Sequence, residues 1–393
     1  MKPRVLLLGQ EVHPIPPDKG AAVEQWIDAV AHRLEHYEPH IVSVPHHVRP
    51  DSEVEGNVHY RRIRIGRFYN RIFRKLTRLD PYSYVDRIVR YAGSIAPAIV
   101  HIHNAPRLVD RLAGRIRGAR IVLHMHNEKE DRVRNRIDAL IGCSDYIRNW
   151  FSVRGFPADR YGVLANGVDT HLFRPLQSPD AARELRRKAN IPLDRFVVLF
   201  VGRISPEKGP DLLAEAARWL DPSRFHFLFV GEWSRGDAET SARVRYARQL
   251  EEQLRVVPHA VLDTLAPSSM HSVYGLGDLV VIPSRFEEPF SMVAIEAMAC
   301  GVPVLALRRG GMAEYLVDGE NALVLDPDTS AQELAHSIDD AAQNPSGLAE
   351  MAARARGMVE RRFTWDRVAA ETERFYDSLL GQQQGLRPKE AAK

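Results

Sequence analysis

The sequence predicts an α/β protein built from two doubly wound domains facing a cleft. Short β-branched runs alternate with amphipathic helical stretches almost throughout its 393 residues, the rhythm of parallel sheets covered on both faces. The alternation restarts after a break around residues 174–180, where Pro, Gln and Ser interrupt the order. A chain of this length also exceeds what one hydrophobic core usually serves.

In the first half, "RVLLLG" (4–9), "HIVSV" (40–44), "AIVHIH" (98–103), "ARIVLHMH" (119–126) and "DALIGC" (138–143) read as strands. They are near-continuous apolar runs, as expected of parallel strands buried on both faces. Between the first two, Val23, Ile27, Val30 and Leu34 make one helical stripe. The second half repeats the pattern with "RFVVLFVG" (195–202), "FHFLFVG" (225–231), "DLVVIP" (278–283), "VPVLAL" (302–307) and "NALVLD" (321–326). Domains of residues 1–172 and 173–363 follow, with a polar tail at 381–393. Ligands of such sheets bind at the carboxyl ends of strands.

No apolar run approaches the ~20 residues of a membrane span, and the amino-terminal apolar stretch is too short for a signal peptide. Cys143 and Cys300 sit far apart in apolar segments, which fits free thiols in a reducing compartment. The net charge is +3, but residues 1–170 hold 27 Lys+Arg against 19 Asp+Glu (+8), leaving 27 against 32 (−5) for the remainder. The first half should attract an anionic partner.

The chemistry begins with "EEPFSMVAIEAMACGVPV" (287–304), where seven residues separate Glu288 from Glu296. On one continuous helix they would stand ~12 Å apart, wider than the roughly 5–9.5 Å of glycosidase pairs. "EPFS" precedes an Ala-rich helix, so the amides of Phe290, Ser291 and Met292 form an anion site, with the glutamates accepting from hydroxyls. A solvated Glu288 and a Glu296 paired with a base is the equal alternative. Upstream, "FVGRISPEKG" (200–209) leaves a strand and places Arg203 and Lys208 before a helix, a combination suited to a diphosphate. Gly20 in "PPDKGAAVEQWI" lets backbone approach a phosphate.

Together "KGAAVE" (19–24), "NGVDTHLFRP" (166–175), "VGRISPEKG" (201–209), "PSRFEEPFSMVAIEAMACGVPV" (283–304) and "GGMAEYLVDGENALVLDP" (310–327) resemble the GT-B nucleotide-sugar glycosyltransferases, in particular the retaining family 4 (glycosyl transferases group 1). The resemblance implies two Rossmann-like domains, an amino-terminal one for the acceptor and a carboxyl-terminal one for the donor. A helix at 364–380 is expected to pack back on the first. It further implies that Glu296 holds the donor ribose, Glu288 the donor sugar, and the amides of 290–292 sugar and diphosphate. Arg203 and Lys208 would stabilise the leaving diphosphate, and His126 in "LHMHNE" would face the reacting sugar. Gly20, Ala21, Gly202 and Leu265 complete the expected donor contacts.

The implied reaction moves a sugar from a nucleotide-diphosphate sugar, UDP-linked first and GDP-mannose next, to a hydroxyl of a glycan or lipid-linked acceptor in cell-surface polysaccharide or glycoconjugate synthesis. No divalent metal and no cofactor are expected. Two positions depart from the family pattern: Ala21 stands where a second glycine is usual, and Thr264 where a glycine is expected near the base pocket. The rivals are an epimerase or hydrolase of the same fold, and a non-catalytic sugar-nucleotide-binding partner in an assembly complex.

Three further features are discounted or weighed. His101 with His103 and His124 with His126 are H-x-H pairs, but no aspartate or third-strand ligand follows, so satisfied histidines are expected. "DPD" (326–328) reads as the approach to a helix cap by Thr329 or Ser330 with Gln332 or Glu333. Residues 60–79 hold eight basic and no acidic residues, which with a lipid-linked acceptor suggests an anionic membrane surface and a cytoplasmic protein at the inner face of the cell membrane. No nucleic-acid motif accompanies the charge.

Overall fold

The computed structural model describes residues 2–18, 20–65, 69, 82–233, 241–263, 265–266 and 269–381. They divide into two compact units. One runs to Pro17, then takes Ala21–Ala165 and the chain from Trp365 onward; the other takes Asp18, Gly20 and Asn166–Thr364. The changeover thus falls at Ala165/Asn166, where the sequence placed it at 172/173.

The first unit holds β1 (Arg4–Leu8), β2 (Glu38–Ser43), β3 (Ser52–Glu55), β4 (Val58–Arg62), β5 (Ile99–His103), β6 (Arg120–Met125), β7 (Ile137–Gly142) and β8 (Ala158–Val163). Their order is β3-β4-β2-β1-β5-β6-β7-β8, parallel throughout except for the antiparallel β3–β4 pair. The second unit holds β9 (Phe196–Val201), β10 (Phe225–Gly231), β11 (His259–Asp263), β12 (Leu279–Ile282), β13 (Val304–Leu307) and β14 (Leu323–Leu325), all parallel in the order β11-β10-β9-β12-β13-β14. Chain direction across the sheet reverses between β1 and β5, and between β9 and β12. Such reversals open a crevice at the strands' carboxyl ends.

The sequence runs form these strands because both faces are covered. Every residue of β10 is buried, and Phe200, Phe225, Phe227 and Phe229 join Leu213, Leu334 and Ile338 in one core. Each such side chain contributes about 1.5–3 kcal/mol by leaving water. In the first unit, helix Ala22–Ala31 buries Trp26, Ile27 and Val30, so Trp26 belongs to the stripe and half-buried Val23 is marginal to it. Helix Trp365–Leu380 packs on that helix. Its Glu373 accepts from the His36 backbone at 2.7 Å, and its Asp377 accepts from the Tyr37 hydroxyl at 2.7 Å.

Strands β3, β4, β8 and β11 were not expected. All four carry exposed or half-buried residues, β3 reading SEVE and β8 ADRYGV, so the apolar signal is weak. Strand β4 changes the reading of the basic segment. The Arg62 side chain is buried, donating to the Ile15 carbonyl at 3.1 Å, the Pro50 carbonyl at 2.7 Å and Glu53 at 2.9 Å. Arg61 bonds Ser52, and Arg64 pairs with Asp51 at 3.1 Å. These arginines stitch the sheet edge; residues 66–68 and 70–79 lie outside the described residues, as do Thr264 and 382–393.

After "DPD", Ser330 caps helix Ala331–Gln343 and Glu333 returns the bond, fixing which of the weighed pairs forms the cap. Cys143 and Cys300 are buried free thiols. No helix among the described residues is long and apolar enough to cross a membrane.

Candidate functional site

In the second unit, the loops leaving β9 and β12 meet at the reversal. Arg203 follows β9, a short 3-10 turn spans Pro206–Lys208, and Gly209 opens helix Pro210–Ala217. Gly209 has φ +69°, and a Cβ there would fall 2.0 Å from the Pro283 carbonyl oxygen. Only a residue without a side chain lets the two loops approach so closely. The contact is fastened by Arg285, whose amide donates to the Glu207 carbonyl at 2.9 Å and whose guanidinium pairs with Asp211 at 2.7 Å.

That approach brings Lys208 Nζ to 2.7 Å from Glu288 Oε1 and over the Phe286 ring at 4.7 Å. The Ser284 hydroxyl donates to the same carboxylate oxygen at 2.5 Å. The Glu288 side chain is only 4% exposed and Lys208 21%. Glu288 is also held by its backbone: Gly311 donates to its carbonyl at 2.7 Å, and a Cβ on Gly310 would sit 2.4 Å from that oxygen.

Beyond Glu288 the chain turns sharply into helix Met292–Ala299. Ser291 caps it from a left-handed φ of 74°, uncommon for a residue with a side chain. Tyr315 holds the turn, donating to the Phe290 carbonyl at 2.6 Å and reaching the Ser291 carbonyl at 3.2 Å, with its ring against Phe290 and Phe363. The first amides of the helix, Met292 onward, have no partner within it and face an anion favourably.

One helical turn further in, Glu296 accepts from the buried Tyr274 hydroxyl at 2.6 Å. Burial pushes its carboxyl up to about 7, with Tyr274 pulling the other way. The equal alternative, a Glu296 paired with a base, therefore gives way to a tyrosine partner. Arg203 is half exposed and pairs with Glu207 at 3.5 Å. Leu265 lies beyond the carboxyl end of β11, with β10 between that strand and β9, and is 40% exposed. The residues missed from sequence are Ser284, Tyr274, Gly310 and Tyr315. The last two lie inside "GGMAEY", but nothing local says what they support.

Gly20 and Ala21 lie in the chain between β1 and helix Ala22–Ala31, Gly20 grouped with the second unit and Ala21 with the first, and a Cβ on Gly20 would meet nothing within 4 Å. In the first unit, His126 follows β6, buried, its Nε2 at 3.3 Å from His103 Nδ1. The histidines expected to be satisfied are so only in part. His101, His103, His124 and His126 stack on one face of β5 and β6, against Trp26. Nε2 of His101 and of His103 lack partners, and His124 has the Leu164 backbone beside one of its nitrogens. Burial lowers His101 to about 3, helped by His126, and takes His103 and His124 well below the usual range. A cavity of about 980 Å³ in this unit, lined by Asp110, Lys129, Arg134, Trp150 and Arg154 among others, contains none of the expected site residues.

The family model described as Glycosyl transferases group 1 matches residues 181–358, and that described as Glycosyltransferase Family 4 matches residues 23–172. A lipopolysaccharide 1,2-N-acetylglucosaminetransferase of Salmonella typhimurium strain LT2 is 30% identical over 94% of this chain and 97% of its own length. The chain belongs to the group 1 glycosyltransferases. A second relative, the glycosyltransferase YtcC of Bacillus subtilis strain 168, named as putative, is 27% identical over 93% of this chain and 90% of its own.

Solved structures agree on the GT-B fold of this glycosyltransferase. Sucrose-phosphate synthase from Thermosynechococcus elongatus superposes with a TM-score of 0.77 at 20% identity, covering 97% of this chain and all of its own. Anabaena HepE in complex with UDP and glucose gives 0.75 at 24%, covering 96% and all of its own.

Proposed function

We propose that this glycosyltransferase moves a hexosyl group from a UDP-sugar, with GDP-mannose as the next donor, to a hydroxyl of a glycan or lipid-linked acceptor, retaining anomeric configuration. The observation that carries the reading is the Lys208–Glu288 pair at 2.7 Å immediately before the helix Met292–Ala299. Lys208, from the loop after β9, sets an ammonium against the Glu288 carboxylate just ahead of the first amides of that helix, a combination that suits the charge and hydroxyl pattern of a sugar diphosphate.

In this reading Lys208 and Arg203 stabilise the leaving diphosphate, whose charge grows as the glycosidic bond breaks. Glu288 accepts from sugar hydroxyls, the amides of 290–292 and the backbone at Gly202 hold sugar and phosphate, and Glu296 accepts from the ribose. Leu265 borders the base, Gly20 and Ala21 approach the phosphates, and His126 faces the reacting sugar. Two fixed cations supply what a divalent ion would otherwise give, so the transfer runs without one. The second unit is the donor domain and the first the acceptor domain. The named acceptor class of the Salmonella relative and the UDP in the Anabaena complex support these choices. Contact with an anionic membrane, if residues 60–79 make it, uses their cations other than Arg62, and vesicle co-sedimentation at low salt reads it.

The test is calorimetric titration with UDP, GDP and ADP in a chelator of divalent ions, with Arg203→Ala as control. Binding of UDP, weakened about 10- to 100-fold in the control as for loss of a charge-assisted contact, supports the reading. Binding of none of the three would overturn it. Donor turnover without acceptor, as fast as transfer, would favour the epimerase or hydrolase instead.

A further inference from the structure

Glycosyl transfer gives no task to His101 and His103 on β5 or to His124 on β6, yet their placement is specific. Strand alternation puts His101 and His103 on one face, and the parallel register sets His103 beside His124. All three are fully buried. One imidazole nitrogen from each lies within 4.8 Å of the other two.

Two independent observations point to a ligand. The first is the unpartnered nitrogens: Nε2 of His101 and Nε2 of His103, with one nitrogen of His124 left over once the other meets the Leu164 backbone. A buried polar atom left unpaired costs about 1–3 kcal/mol, and several of them share this one pocket. The second is what the other nitrogens do. His101 Nδ1 meets the Tyr376 hydroxyl at 2.7 Å, and His103 Nδ1 meets His126 Nε2 at 3.3 Å. With Nδ1–H donating outward in both, each Nε2 keeps its lone pair, the arrangement by which metal-bound histidines are oriented.

We propose that His101, His103 and His124 hold a divalent transition-metal ion, zinc by ligand type, as a clamp between β5 and β6. Imidazoles suit zinc and its neighbours, whereas magnesium, calcium and manganese prefer the oxygen ligands this cluster lacks. Zinc–nitrogen bonds of about 2.0–2.1 Å set tetrahedral ligands roughly 3.4 Å apart, so binding draws the rings together, a movement within reach of side-chain rotation. The fourth position falls to a solvent molecule, which offsets part of the ion's charge by losing a proton. Through Tyr376 the ion also ties helix Trp365–Leu380 to the sheet, and through His103 it orients His126. This role is separate from the diphosphate, so its test reads metal and not transfer.

The experiment uses the full chain without a polyhistidine tag, purified from zinc-supplemented culture, acid-digested and assayed for zinc, nickel, cobalt, copper and iron. The stripped protein is then reloaded with cobalt(II). The expected result is close to one zinc ion per chain, tetrahedral ligand-field bands with cobalt, and metal affinity lowered in His103→Gln and His124→Gln by more than the roughly 10- to 100-fold that loss of an outer-shell partner costs. The control is His59→Gln, in the separate Glu38, His40 and His59 group, which should retain the ion. A folded wild-type chain with no metal and no cobalt bands would overturn the proposal. So would metal that persists in His103→Gln and His124→Gln but is lost in His59→Gln. Should the cluster variants fail to fold, the wild-type metal count and cobalt spectrum decide alone.

Discussion

Lys208 and Glu288, 80 positions apart in the chain, form a 2.7 Å ion pair that is largely shielded from solvent on the carboxylate side. Removing one partner of such a pair strands the other charge, which costs about 3–5 kcal/mol when burial is complete and less here, where the ammonium keeps some water. Lys208→Ala should therefore lower stability as well as donor affinity. Glu288→Gln keeps the acceptor for Ser284 and should cost less, and the double variant should be more stable than Lys208→Ala alone. Urea denaturation of the three variants measures this. Equal stability of Lys208→Ala and wild type would mean the pair contributes nothing to the fold.

Glu296 should make both stability and nucleotide binding depend on pH near neutrality. Burial raises its carboxyl to about 7 from an ordinary 4.5. A raised folded-state value means its stabilising contribution is complete below about 4.5 and is lost as pH climbs through about 7. Wild type should lose stability over that window relative to Glu296→Gln. If the ionised carboxylate accepts the ribose hydroxyls, UDP affinity rises across the same region and binding releases a proton. Calorimetry in two buffers of different ionisation enthalpy reads the proton directly. A variant with an unchanged stability profile would show that Glu296 does not titrate there.

Two glycines should behave oppositely. Gly310 has φ +51°, and an added Cβ would lie 2.4 Å from the Glu288 carbonyl oxygen and 2.9 Å from its amide nitrogen. Backbone cannot yield as a flexible side chain can, so Gly310→Ala should cost about 2–4 kcal/mol and displace Glu288. Gly20→Ala meets nothing within 4 Å and should leave stability within about 0.5 kcal/mol. Weaker UDP binding by a normally stable Gly20→Ala would then report a phosphate close to that backbone. Thermal melts paired with UDP titration separate the two effects.

Strands such as β9 and β10 were legible because their burial on both faces leaves an unbroken apolar run. The edge strands β3 and β8 were not, because they carry exposed or half-buried polar residues, whereas the edge strand β14 was, because its run stays apolar. Of the candidate site, the residue types were legible but not their contacts. Arg203, Lys208, Glu288 and Glu296 stand out by type and spacing. The pairing of Lys208 with Glu288, however, depends on Gly209 passing against Pro283, a tertiary fact. Likewise each H-x-H motif shows that two histidines share a strand face. Only the register of β5 with β6, and Trp26 above them, turns two pairs into one cluster.

Tyr315 should prove to be a positioning residue for the donor amides. Its hydroxyl is shared between the Phe290 and Ser291 carbonyls, and Ser291 holds a left-handed φ of 74° that ordinarily costs about 1–3 kcal/mol. Tyr315→Phe keeps the ring packing on Phe290 and Phe363 but removes the only donor it offers. Loss of that bond should lower stability by about 1–2 kcal/mol. It should also let the 290–291 turn relax, moving the first amides of helix Met292–Ala299 from where they would meet the proposed donor's anionic group. A purely structural role would reduce the melting temperature and leave the kinetic constants of the folded enzyme alone. A positioning role raises KM for the sugar nucleotide or lowers kcat at temperatures where the variant is fully folded. Unchanged KM and kcat under those conditions would remove the 290–292 amides from the donor site.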